Sequence, residues 1–164
     1  MCEYCGCQEI AVIGELTREH DAVVALISQV KSSIAGQHLE DAAASCQRIS
    51  SLLAPHTEVE EQGLFPEMSD DFPDHIAALR SEHRQIEKTL GEASEGVPDD
   101  PTWPDRLLGD LHLLRAHILK EQDGVFPAAL AALDPDQWAR IEAIRAQSGS
   151  TATPPTATTS ASQN

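Results

Sequence analysis

The stretch HTEVEEQGLFP occupies residues 56–66, and HILKEQDGVFP occupies residues 117–127. The two share one frame: His, Glu four residues on, then Gly, an aliphatic residue, Phe and Pro. In a helix, residues four apart lie one turn apart on the same face. Each copy therefore offers an imidazole and a carboxylate to one point beside the helix axis. The Gly-then-Pro ending reads as a helix stop.

Working outward, each copy sits on a helical apolar stripe. Leu39, Ala42, Cys46, Ile49, Leu53, His56 and Glu60 form the first. Leu107, Leu111, Leu114, His117, Glu121 and Val125 form the second. Each of these segments is preceded by another amphipathic one. Ile13, Leu16, His20, Val24, Ile27 and Ile34 share a face, as do Ile76, Leu79, His83, Ile86 and Leu90. Pro55 stands inside the second segment, where it should kink or split the helix; the fourth has Ala116 at that position. A short fifth helix is expected after Asp134-Pro135, with Asp as cap and Pro in the first turn. GEASEGVPDDPTWP, residues 91–104, is a turn-rich linker. These segments predict an all-α fold: an antiparallel up-down-up-down four-helix bundle with a short C-terminal helix and a disordered C-terminal tail. The expected divisions are a cysteine-containing arm at 1–12, the bundle at 13–146 and a Ser/Thr/Pro tail at 147–164.

Composition agrees. Aromatic residues are 4% of the 164, while Ala and Leu abound, which favours helix over sheet. A formal net charge of −16 opposes binding to phosphate backbones or anionic lipid, so neither nucleic acid nor membrane is expected as a partner. No basic segment followed by an apolar one opens the chain, and the cytoplasm is the expected location.

The repeated unit is one inward His followed by an inward H-x-x-x-E. A lone His on an apolar stripe is most often a satisfied core residue, and a lone H-x-x-x-E a surface pair. Six polar residues on four core stripes are different. An ionised carboxylate there costs several kcal/mol unless paired or coordinated. His20, His56, Glu60, His83, His117 and Glu121 suit two first-row metal ions, two imidazoles on each, with both carboxylates bridging and a shared oxygen completing the bridge. Iron suits this donor set, with manganese and zinc as alternatives. Leu64, Val125, Phe65 and Phe126 are candidates for an apolar wall around it. His38, His75 and His112 fall off the stripes and read as surface residues. Glu19, Glu61 and Glu82 read as solvated or as hydrogen-bonded to a ligand from outside.

In this order of residues the chain resembles the hemerythrin-like family, the HHE cation-binding domain, from roughly Leu16 to Pro127. The resemblance implies a non-haem di-iron centre, oxo- or hydroxo-bridged, on the same six residues. It also shows departures. Oxygen-carrying hemerythrins have a further His where this chain has Leu79, and a terminal carboxylate where it has Gln122. The pattern is closer to the two-glutamate branch, which includes di-iron proteins implicated in iron–sulfur repair and in nitric oxide or peroxide chemistry. The implied function is binding of, or reaction with, dioxygen, peroxide or nitric oxide, with a peroxide- or nitric-oxide-consuming oxidoreductase within its range and a role in redox stress. An alternative is an iron donor or repair protein for iron–sulfur centres, or a redox sensor. That alternative draws on Cys2, Cys5 and Cys7, a cluster suited to an additional metal or to redox exchange, with Tyr4 among them. The competing reading is an unstructured arm with reactive thiols. Cys46, on a buried stripe, reads as a core cysteine.

Overall fold

The computed structural model describes residues 10–149. Cys2, Cys5, Cys7 and Tyr4 lie outside these, as does most of the Ser/Thr/Pro segment. Helix α1 spans Ala11–Ala35 and α2 spans Leu39–Val59. A π-helical turn, Glu60–Leu64, carries α2 into the short α3, Phe65–Met68. The second half repeats this plan. Helix α4 is Pro73–Gly91 and α5 is Trp103–Lys120. A second π turn, Glu121–Val125, leads into α6, Phe126–Ala132. Helix α7, Pro135–Ser148, closes the described chain. No strand occurs among the described residues. Nor is any described helix long and apolar enough to cross a membrane.

α1 packs on α2, α4 on α5, α2 on α4 and α1 on α5. That ring is the antiparallel four-helix bundle, with α7 laid against α1, α2 and the first π turn. The expected stripes face the interior. On α1 the buried positions include Leu16, His20, Val23, Ile27 and Val30, a stripe alternating four and three; Val24 and Ile34 are only half-buried. Burying a Leu or Ile side chain contributes about 1.5–3 kcal/mol. Among the described residues the interior holds two apolar clusters. One includes Val23, Ile27, Ile49, Leu53, Ile86 and Leu114; the other includes Leu16, Val59, Leu64, Phe65, Leu79 and Phe126.

Three local expectations change. Pro55 does not break α2, which runs unbroken through it. Gly63 and Gly124 do not end their helices; both lie within π turns and the chain continues helically beyond. In each turn the Phe N–H reaches back five residues, Phe65 to the Glu60 carbonyl and Phe126 to the Glu121 carbonyl. The following prolines supply the reason. Pro66 and Pro127 have no N–H, and the proline ring clashes with the carbonyl four residues back in a regular helix. A wider turn relieves that clash. Finally, Gln147 and Ser148 belong to α7. The fifth helix starts as expected: Asp134 accepts from Gln137 N–H at 2.8 Å, and Gln137 accepts in return from Asp134 N–H at 2.9 Å.

Candidate metal centre

The four bundle helices deliver the six expected residues to one place. His20 comes from the middle of α1, His56 from the last turn of α2, His83 from the middle of α4 and His117 from the last turn of α5. Glu60 and Glu121 open the two π turns. All six are buried, both glutamates fully. They fall into two quartets, His20–His56–Glu60–Glu121 and Glu60–His83–His117–Glu121. Within each, one donor atom per residue lies within 4.8 Å of all the others. Both carboxylates belong to both quartets.

Imidazole and carboxylate approach closely here. His20 Nε2 is 3.2 Å from Glu121 Oε2, His56 Nε2 is 3.2 Å from Glu60 Oε1, and His117 Nε2 is 2.9 Å from Glu121 Oε1. Yet among the described residues all four oxygens of Glu60 and Glu121 lack a hydrogen-bond partner, as does His117 Nε2. The distances are short but the alignment is that of donor atoms gathered around a common point. Two fully buried carboxylates without hydrogen bonds are costly to an empty interior. Two cations would satisfy them, so the residues present fit a pair of metal ions.

The outer nitrogens support this orientation. His56 Nδ1 donates to Glu19 at 2.9 Å, His83 Nδ1 to Glu61 at 2.9 Å and His117 Nδ1 to Glu82 at 2.9 Å. A carboxylate on Nδ1 fixes the tautomer and leaves the Nε2 lone pair for a metal. Thus Glu19, Glu61 and Glu82 are not simply solvated. Glu19 is buried, and Glu82 and Glu61 are half-buried. His20 Nδ1 has no hydrogen-bond partner among the described residues. Its ring instead stacks on Phe126, 5.6 Å between centroids at 7°. Phe65 stacks on His83 in the same way, 5.6 Å at 14°. With buried Leu64, these phenyl rings form the expected wall, while Val125 is only half-buried.

Charge follows the geometry. Burial pushes the His56 imidazole down, but the charge of Glu60 and the bond to Glu19 outweigh it and raise it to about 10. His83 is likewise pushed down by burial and raised to about 9 by contact with Glu60. Glu60 is held well below the ordinary carboxylate range: burial raises it, and His56 and His83 pull it down further. Without metal, protons on the imidazoles play the cations' part.

The remaining candidates lie elsewhere. His38, His75 and His112 are exposed. Cys46 is a free, buried thiol in the apolar cluster with Ile49, pushed up to about 12 by burial, which is poor chemistry for a ligand. Leu79, where a further imidazole would stand, is buried in the other apolar cluster. Gln122 is off the centre, and Glu121 supplies the carboxylate. Arg145 on α7 was not singled out by the sequence. It is buried, donates to Glu15 at 2.7 Å and pairs with Glu19.

A four-helix bundle with a buried four-His, two-Glu cluster defines a metal-binding protein of the hemerythrin type. Residues 11–129 match the Hemerythrin HHE cation binding domain, and the chain belongs to that family. No curated protein and no solved structure matches the chain significantly.

Proposed function

We propose that the protein holds two iron ions, one between His20 and His56 and one between His83 and His117, bridged by Glu60 and Glu121. The observation that carries this reading is that two donor quartets share both carboxylates. Bound iron would supply a Lewis acid and exchangeable electrons for a small ligand. The chain's own residues do the rest. Glu19, Glu61 and Glu82 hold the Nδ1 protons and aim the Nε2 atoms. Phe65, Phe126 and Leu64 exclude water.

The ligand in this reading is dioxygen, peroxide or nitric oxide. Its support is space: the cavity touching all four imidazoles is about 10 Å³, walled otherwise by Leu53, Thr57, Ile86, Glu87, Leu114 and Ile118. That is room for about one water-sized guest. The iron-donor alternative rests on cysteines outside the described residues, and no observation here favours it. A cytoplasmic location belongs to the same reading, and cell fractionation tests it.

Metal analysis with an absorption spectrum tests the core claim. The expected result is two irons per chain with charge-transfer bands, lost in part by His20→Ala and retained by His75→Ala. Background iron after anaerobic reconstitution would overturn it. Exposure to each gas or to peroxide then separates reversible binding, a spectral change without product, from turnover that His83→Ala abolishes.

A further inference from the structure

The two halves of the bundle repeat, but what covers them does not. Beside the first π turn lies α7, which is outside the family-matched residues 11–129. The approach is close at Gly63, where a Cβ would meet Ile141 and Ile144 at 3.4 Å. The matching Gly124 has nothing within 4 Å of such a Cβ among the described residues. Beside that second π turn the corresponding groove is an apolar cavity of about 280 Å³, lined by Phe72, Ile76, Leu79 and Val125.

The carboxylates behind the imidazoles differ accordingly. Glu19, on His56, is buried, and Arg145 from α7 grips it through both terminal nitrogens while donating to Glu15 with Nε. The partners in the other quartet are less enclosed. Glu61, on His83, has a side chain 33% exposed, and Glu82, on His117, is 16% exposed and pairs with the exposed Lys120. His56 cannot swing outward without displacing a carboxylate that is clamped from a second helix. His83 and His117 lean on carboxylates that solvent can reach.

We propose that Arg145 is a positioning residue that makes the two metal positions inequivalent: the His20–His56 position is closed and slow to exchange, and the His83–His117 position is open and fast. The inference rests on the two-metal reading and adds an order of exchange to it.

The test loads the full chain with ferrous iron anaerobically, counts the bound iron, and follows its release into a coloured ferrous chelator. Uptake of fewer than two ions overturns the two-metal reading and this proposal with it. With two bound, wild type should release them in two equal phases at least about ten-fold apart. Losing a partner behind a ligand costs about 10–100-fold in affinity. Arg145→Met should therefore accelerate the slow phase by about ten-fold or more. Arg145→Lys should restore part of the difference, and Lys120→Met should leave the slow phase unchanged. Should Arg145→Met lose helicity, Glu19→Gln gives the same reading with the Arg145–Glu15 pair intact. A single phase accounting for both ions, or an Arg145→Met variant that leaves the slow phase unchanged or quickens both phases equally, leaves the metal pair standing and overturns the inequivalence.

Discussion

Glu60 and Glu121 stand in both quartets, whereas each histidine stands in one. Substitutions should therefore divide by count. Glu60→Ala is expected to lose both ions, His20→Ala only one, as read by metal per folded chain; equal losses would contradict the bridging arrangement. Glu61→Gln keeps the shape at His83 but weakens the acceptor on Nδ1, and should cost about 10–100-fold in metal affinity by titration while the stoichiometry stays at two. The six central residues were legible because each breaks an apolar stripe, and a buried charge needs a reason. The partners behind them were less so. Glu61 sits about 100° around the helix from Glu60, and nothing in its own spacing says that His83 of α4 reaches across to it. Arg145 did carry a signal: with Trp138 and Ile141 it completes a buried three-four stripe, a cation where a leucine would be ordinary.

At the scale of elements, the π turns explain why the repeat ends as it does. An apolar template with a period of 3.6 places Leu64 and Val125 over the glutamates, four residues on. The wider turn closes after five, which brings Phe65 and Phe126 into line instead. Helix existence and the inward faces were thus readable from period alone, whereas this phase change was not. Its trace in the sequence is a proline six residues after each glutamate. The two glycines in these turns have different neighbours, and substitutions should separate them. Gly124→Ala, with open space around it, should stabilise the fold by about 0.5–1 kcal/mol by reducing the freedom of the unfolded chain. Gly63→Leu should destabilise it by about 1–3 kcal/mol, because the side chain must displace Ile141 and Ile144 of α7. Denaturant melts of both variants check the pair; similar shifts of the same sign would mean that α7 does not pack there.

For the molecule as a whole, the centre couples folding to protons and to metal. His56 and His83 are raised to about 10 and about 9 in the metal-free fold, against about 6.5 for an unfolded chain. A raised imidazole stabilises fully below the unfolded value, and that stabilisation is lost as pH climbs through the folded one. The metal-free protein should therefore lose thermal stability between about pH 6.5 and pH 10 through these groups. The loaded protein should lose less, and loading near neutral pH should release protons, as ligands must shed them to coordinate. Unfolding curves with and without metal, alongside a pH indicator during loading, measure both; a metal-free curve flat across that range would contradict the imidazolium pairs. The ring contacts carry one more consequence. Phe65, from the first half, covers His83 of the second, and Phe126, from the second, covers His20 of the first. Each half-chain thus lends the other its lid. Severed within residues 69–72, the connection between α3 and α4, the protein should behave as a complementing fragment pair. Neither piece would own a complete pocket, and metal would favour their reassembly by satisfying donors that come from both.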